Sequence, residues 1–284
     1  MMKRPPSNET KRVAEEAAEL LEKGDARYGG QARGAVKKIT SFLKKHANKK
    51  NVEGMKSFAI TCRKTYGVDV PTLRVIAARM GRSLRKGHGG LSLLPELWAT
   101  GVLENKMIAG MIFYDAAEAH LSANPGNFGT IFKFLEKAIP EFENWAVCDT
   151  LCTSGFDRLL SEYPGEIFPA LFRWSKEKNL WKKRTPAATI AGYSSAKNFD
   201  VRKALALLDN LIGIEEKYVF KAVTWALRNM SKRNAAEVYE YLKGLLNKAS
   251  AGGLKSKVLF NTVSQGSQKL PPRLQRELKS KIKT

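Results

Sequence analysis

The chain has 284 residues, 43% of them hydrophobic, enough for one elongated domain or two small ones around a packed core. Lys and Arg number 49 against 27 Asp and Glu, and the resulting net charge of +22 suits a polyanionic partner. No apolar run long enough to span a bilayer occurs, the N-terminus lacks the apolar centre of a signal peptide, and three cysteines imply no disulfide framework, so a soluble intracellular protein without a membrane partner is expected.

Residues 1–50 hold 13 basic and 6 acidic side chains, and 1–45 read as a basic N-terminal helical extension. Val36, Ile39, Phe42 and Leu43 fall at the spacing of an apolar helical stripe, as do Met107, Ile108, Met111 and Ile112 further on. Glycines and prolines at Gly24, Gly67, Gly101, Pro125-Gly126, Pro164-Gly165 and Gly213 cut the chain into segments of about 12 to 18 residues, an ordinary helix length. Alternating strand patterns are absent from the sequence.

Residues 101–150 reverse the charge, with 3 basic and 7 acidic side chains. Within this block "ENWAVCDTLC" places Trp145 and Asp149 four residues apart. Cys148 and Cys152 share the same helix, but the three histidines, His46, His88 and His120, lie far away in sequence. The thiols therefore read as buried side chains and no metal is expected.

Residues 165–196 and 200–230 repeat one layout, a short apolar helix followed by one bearing Trp and Arg. Repetition of that kind predicts an all-α fold, a HEAT-like helical-repeat superhelix or α-solenoid with a concave basic surface. In "YVFKAVTWALRNMSKRN" the residues Lys221, Trp225 and Arg228 share one helix face, while Val219, Val223, Ala226 and Leu227 form the apolar stripe. Aromatic rings interleaved with cations can meet bases or sugars with the ring and phosphates with the charge. The repeat domain is expected over 46–268, followed by a basic C-terminal tail over 269–284.

Trp145 and Asp149 in "NWAVCD", Arg184 in "NLWKKR" and Trp225 in "KAVTWALR" together resemble the ordered signature of the AlkD-type alkylpurine DNA glycosylases. "YGVDVPTLR" from Tyr66 to Arg74 is similar to that family's loop leading into a Pro-started helix, and "ELWATGVLENK" to the segment after it. The resemblance covers roughly residues 50 to 250. It implies a curved stack of HEAT-like helical pairs and an enzyme that removes N3- and N7-alkylated purines from DNA without a cofactor, acting as a monomer on duplex DNA.

The same resemblance implies roles for matching positions. Asp149 would stand beside the scissile nucleoside, with Trp145 and Trp225 against its sugar and the adjoining backbone. Arg184 would hold a phosphate, with Lys183, Lys221, Arg228, Arg74 and Phe58 as further DNA contacts. Phe58 stands where the family often has a tyrosine, so no hydroxyl is offered to DNA there. Pro186 must sit in the first turn of its helix or bend it, which bears on the aim of Arg184. The expected compartment is the cytoplasm of a prokaryote or the nucleus of a eukaryote. The competing readings are a catalytically inactive DNA-structure binder and a helical-repeat scaffold for protein or RNA.

Overall fold

The computed structural model describes residues 7–22, 30–88, 90–251 and 256–282. Among the described residues the secondary structure is helical, with no strand, and no helix is long and apolar enough to cross a membrane. The chain divides into two units, Met1–Phe156 and Asp157–Thr284.

The first unit contains α1 (Asn8–Glu22), α2 (Gly30–Lys45), α3 (Lys49–Ser57), α4 (Val70–Arg85), α5 (Leu93–Ala99), α6 (Leu103–Ala123), α7 (Phe128–Ala138) and α8 (Trp145–Leu151). Helix α4 starts as its sequence requires: the Asp69 side chain accepts the Thr72 N–H at 2.8 Å, and Pro71 falls at the second helical position, where a missing N–H costs nothing. The segment expected as an N-terminal extension forms α1 and α2 and is part of this unit. Apolar faces explain why: Ala14, Ala17, Ala18 and Leu21 of α1 are buried against α2 and α4, while α2 packs on α5 and α6.

Helix α6 is the centre of the unit. It packs against α4, α5 and α8 and buries residues all round its first four turns. Two glycines set its distance from α8. A Cβ on Gly110 would lie 3.0 Å from the Leu151 nitrogen, and one on Gly155 would lie 2.9 Å from the Tyr114 nitrogen, so the backbones meet almost directly. Beyond α8 the chain makes a π-helical turn over Cys152–Phe156, in which Cys152 and Phe156 are buried; Cys148 on α8 is buried too.

The second unit contains α9 (Asp157–Glu162), α10 (Pro164–Ser175), α11 (Leu180–Tyr193), α12 (Val201–Asp209), α13 (Lys217–Met230), α14 (Ala235–Ser250), α15 (Ser256–Gly266) and α16 (Pro272–Ile282). Helices α10 and α11 pack as a pair and so do α14 and α15, while α12 packs against α10 and α11 and α13 against α11. Alternate helices stack in order, α11 on α13 and α13 on α15. Hydrogen bonds tie the end of α12 and α13 to the α10–α11 pair: Asn210 Nδ2 donates to Ser175 Oγ at 2.9 Å, and Asn229 Nδ2 donates to the Ala191 carbonyl at 2.9 Å. This is the HEAT-like arrangement, with helices capped by their own side chains, Asn179 for α11, Asp200 for α12 and Glu216 for α13. The segment expected as a basic tail is folded: α16 packs on α14 and α15 and buries Leu278, and the Tyr239 hydroxyl bonds the Glu277 carboxylate.

Asp157 at the start of α9 is packed over Gly192, where a Cβ would come within 2.5 Å of its Oδ2. Burial pushes its pKa up from 3.8 to about 6, only partly offset by the Arg158 backbone N–H that it accepts at 2.9 Å. Between those values the folded protein keeps a proton that the unfolded chain releases, so this group's contribution to stability falls as pH rises through the window. Asp157→Asn keeps the acceptor oxygen and removes the buried charge. It is expected to stabilise the protein at pH 7.5 by up to about 3 kcal/mol, the linkage equivalent of roughly two pKa units, with the gain vanishing near pH 4. Denaturation midpoints of both proteins at the two pH values check this; a gain that is equal at both would assign the effect to packing.

Candidate functional site

Helix α3 ends at Ser57, and Ala59 then adopts φ 54, a left-handed conformation that turns the chain sharply. The turn leaves the Phe58 ring 68% exposed and points its carbonyl at α8, where the Trp145 indole N–H donates to it at 3.0 Å. Two more bonds follow in register. Asn144 Nδ2 donates to the Thr61 carbonyl at 2.9 Å, and the Arg63 N–H donates to Glu143 Oε2 at 2.7 Å. Asn144 also caps α8 by accepting the Val147 N–H at 3.2 Å. Consecutive residues Glu143, Asn144 and Trp145 thus lie pinned along the 58–63 loop, and the indole has one defined orientation.

Asp149 lies one turn further along α8 on the face of Trp145 and is half-buried. Its own carbonyl accepts the Thr153 hydroxyl at 2.8 Å as the helix enters the π turn. Trp145 and Asp149 together give an aromatic surface and a carboxylate on one face of α8, with the backbone of Phe58 bonded to the indole. Such a set attracts a group that carries or develops positive charge, because ring faces and carboxylate are both electron-rich. Arg74 is exposed on α4 of the same unit.

Three consecutive polar residues of α6 are buried behind this region, and the first of them holds the chain that continues from the loop, over 65–68. Glu104, 1% exposed, accepts with Oε1 the Thr65 hydroxyl at 2.8 Å and the backbone N–H groups of Tyr66 at 2.9 Å, Gly67 at 2.6 Å and Val68 at 3.2 Å. Asn105 Nδ2 donates to Thr40 Oγ1 at 2.8 Å and Thr100 Oγ1 at 3.0 Å. Lys106 places Nζ 3.6 Å from Glu143 Oε1 and 5.4 Å from the Trp98 ring centroid. Gly67 completes the cradle: at φ 75 a Cβ would lie 2.3 Å from the Asn48 carbonyl oxygen. In the sequence alone Glu104 has no assigned role. Its one local signal is a run of three polar residues at the start of a helix whose next eight residues are apolar.

In the second unit α13 presents Lys221 exposed and Trp225 and Arg228 half-buried along one face, with Val219, Val223, Ala226 and Leu227 in the core, as the spacing predicts. Partial burial lowers the pKa of Arg228, whose Nη1 reaches the Gln265 carbonyl at 3.5 Å. On α11, Lys183 is half-exposed, whereas Arg184 is 4% exposed and its Nη1 donates to the Tyr218 carbonyl, joining α11 to α13. Pro186 lies well inside α11 and not in its first turn, at the seventh residue after the Asn179 cap, where it withholds the N–H that the Lys182 carbonyl would otherwise accept.

A family model described as DNA alkylation repair enzyme matches residues 39–256. No curated protein and no solved structure matches the chain.

Proposed function

The chain belongs to the family of DNA alkylation repair enzymes, and from that premise we propose that it hydrolyses the N-glycosidic bond of cationic N3- and N7-alkylated purines in duplex DNA. The observation that carries this reading is the placement of Asp149 one turn beyond an indole whose N–H is fixed by the Phe58 carbonyl. An alkylated purine of this class already bears a positive charge. When its glycosidic bond breaks, the bonding electron pair leaves with the base, which departs neutral, and the charge appears on the sugar. No general acid is needed for that step. The Asp149 carboxylate stabilises the oxocarbenium-like sugar and orients a water, whose oxygen bonds to C1′ while its proton passes to solvent by way of the carboxylate. Trp145 and Phe58 add attraction through their ring faces and exclude solvent from one side.

The remaining residues act on the polyanion. Trp225 meets a sugar with its ring, and Lys183, Lys221, Arg228 and Arg74 hold phosphates. Arg184, buried and bonded to the Tyr218 carbonyl, joins α11 to α13 and does not take the phosphate role expected for it from the sequence. The protein acts on DNA as a monomer, in this reading, and selects lesions by the lability of the bond instead of by a fitted base pocket. A panel of duplexes tests that selectivity. A bulky N7 adduct is expected to be released alongside 7-methylguanine, and rejection of the bulky adduct together with release of the small one would show that a pocket discriminates.

A further inference from the structure

The family match begins at residue 39 and so leaves α1 and most of α2 without a role. The cations of α2 are sorted into two edges. On one, Lys38 pairs with Glu16, and Lys45 sits 2.9 Å from Glu9, which also meets His46 Nε2 at 3.0 Å; the acids of α1 neutralise this edge. On the other, Lys37 and Lys44 are exposed, and neither makes an ion pair with a described carboxylate. Lys37, Ser41 and Lys44 follow one another at helical spacing along one line, with Arg33 one turn before them.

That second edge faces a groove of about 450 Å³ whose opposite wall includes Lys64, Ala99 and Thr100. Lys64 is exposed, and its backbone is fixed because its carbonyl accepts the Leu103 N–H at 2.9 Å. The carboxylate of Glu96 also lines the groove and is covered by Arg33 at 3.0 Å, so the ammonium groups of Lys37, Lys44 and Lys64 are left uncompensated. A second hollow, of about 830 Å³, shares Lys64 and Ala99 with the groove and carries Arg63 and Lys137 on its margin. The two hollows therefore adjoin at Lys64, and the lining of the second also includes Glu141 and Glu143, the latter two residues before Trp145 and 3.6 Å from Lys106. A solvated basic helix would need none of this order: one edge matched to acids, the other left free above a groove that leads toward the Trp145 loop.

From this arrangement we infer that Lys37 and Lys44 of α2, with Lys64 across the groove, form an additional phosphate-binding surface for the backbone of duplex DNA flanking the Trp145–Asp149 site. The inference rests on the reading of duplex DNA as substrate. The scale is suitable: from residue 33 to residue 44 the helix rises about 16 Å, and duplex DNA carries about one charge per 1.7 Å of axis, so several phosphates come within reach. The surface reads backbone charge and not base sequence, since the groove offers ammonium and hydroxyl groups to an anion.

The test is the salt dependence of binding to an undamaged duplex, followed by fluorescence anisotropy with the full chain. The double variant Lys37→Ala/Lys44→Ala is compared with Lys38→Ala/Lys45→Ala, which removes the same net charge from the edge paired with α1. Alanine is the best helix former and all four side chains are exposed or partly so, so α2 is retained. The first variant is expected to flatten the plot of log affinity against log salt by roughly 1.8 units, about 0.9 for each phosphate no longer neutralised, while the second stays close to wild type. Equal flattening in both variants would overturn the inference in favour of net charge alone. An unchanged slope in the first would overturn it too, including the case where that variant loses binding to phosphatidylserine vesicles instead. Undamaged DNA is used so that a failure of base excision and a failure of this surface remain separate results.

Discussion

Asp149→Asn is expected to slow single-turnover release of 7-methylguanine by about 100-fold or more, the usual loss when one preorganised electrostatic interaction is removed from a reacting centre. Asparagine has nearly the same shape as aspartate, and α8 is fixed from both ends, by Asn144 at its cap and by the backbone approach at Gly110 behind it. The substitution therefore removes charge and leaves the position in place. Duplex affinity should hold or rise slightly, because a carboxylate beside DNA repels phosphates. Equal rates for the two proteins at saturating enzyme would take Asp149 out of the reaction and leave Trp145 and Phe58 as binding contacts.

Glu104→Ala is expected to destabilise the protein by at least about 3 kcal/mol, since several buried donors lose their acceptor together and each unsatisfied group costs about 1 to 3 kcal/mol. Against a typical total of about 5 to 15 kcal/mol this is a large fraction. The donors are the Thr65 hydroxyl and three successive backbone N–H groups, whose convergence on one oxygen shapes the Tyr66–Val68 loop. That loop in turn holds α3, since the Tyr66 carbonyl accepts the Asn48 N–H at 2.7 Å and the Gly67 carbonyl accepts Asn51 Nδ2 at 2.8 Å. Glu104→Gln retains an acceptor oxygen of the same reach and should cost clearly less. Denaturant midpoints of the three proteins check the order; an alanine variant within about 0.5 kcal/mol of wild type would mean that the donors find other partners.

Local pattern makes α10 to α13 legible in the sequence. Amphipathic spacing and capping residues mark these helices, and place Lys221, Trp225 and Arg228 on one face, because burial on α12 and α13 repeats every 3.6 residues. The pair α14–α15 is not legible in this way; its sequence lacks the Trp and Arg that mark α11 and α13. Helix α6 hides its role for a different reason. It is buried on all sides, so the stripe of Met107, Ile108, Met111 and Ile112 marks only part of its contact surface, and its Glu104-Asn105-Lys106 run reads as surface until the partners at Thr65, Thr40 and Glu143 are seen.

The candidate site divides in the same way. Trp145 and Asp149 stand four apart, and the sequence alone puts them on one helix face. What the sequence does not show is the contact that aims the indole, because its partner is a main-chain carbonyl 87 residues away. The Phe58 side chain stands out in sequence for the hydroxyl it lacks, while the structural contribution comes from its carbonyl and from the left-handed Ala59 that follows. Arg184 illustrates the limit of charge as a guide to exposure. Its neighbours Lys182 and Lys183 are half-exposed, yet the helical phase turns Arg184 inward, where it meets the carbonyl of Tyr218 in the first turn of α13.

Release of free base by the wild-type chain tests the central proposal most directly. Duplexes carrying one 7-methylguanine or one uracil are incubated with the protein, and the small-molecule fraction is resolved by chromatography while the strand is assayed for abasic sites. The expected result is free 7-methylguanine with a matching number of abasic sites, and an intact uracil duplex, because uracil leaves as an anion, which a neighbouring carboxylate disfavours. Tight, salt-sensitive binding of the methylated duplex with no base released would contradict the proposal and identify the protein as a binder of DNA that has no glycosylase activity.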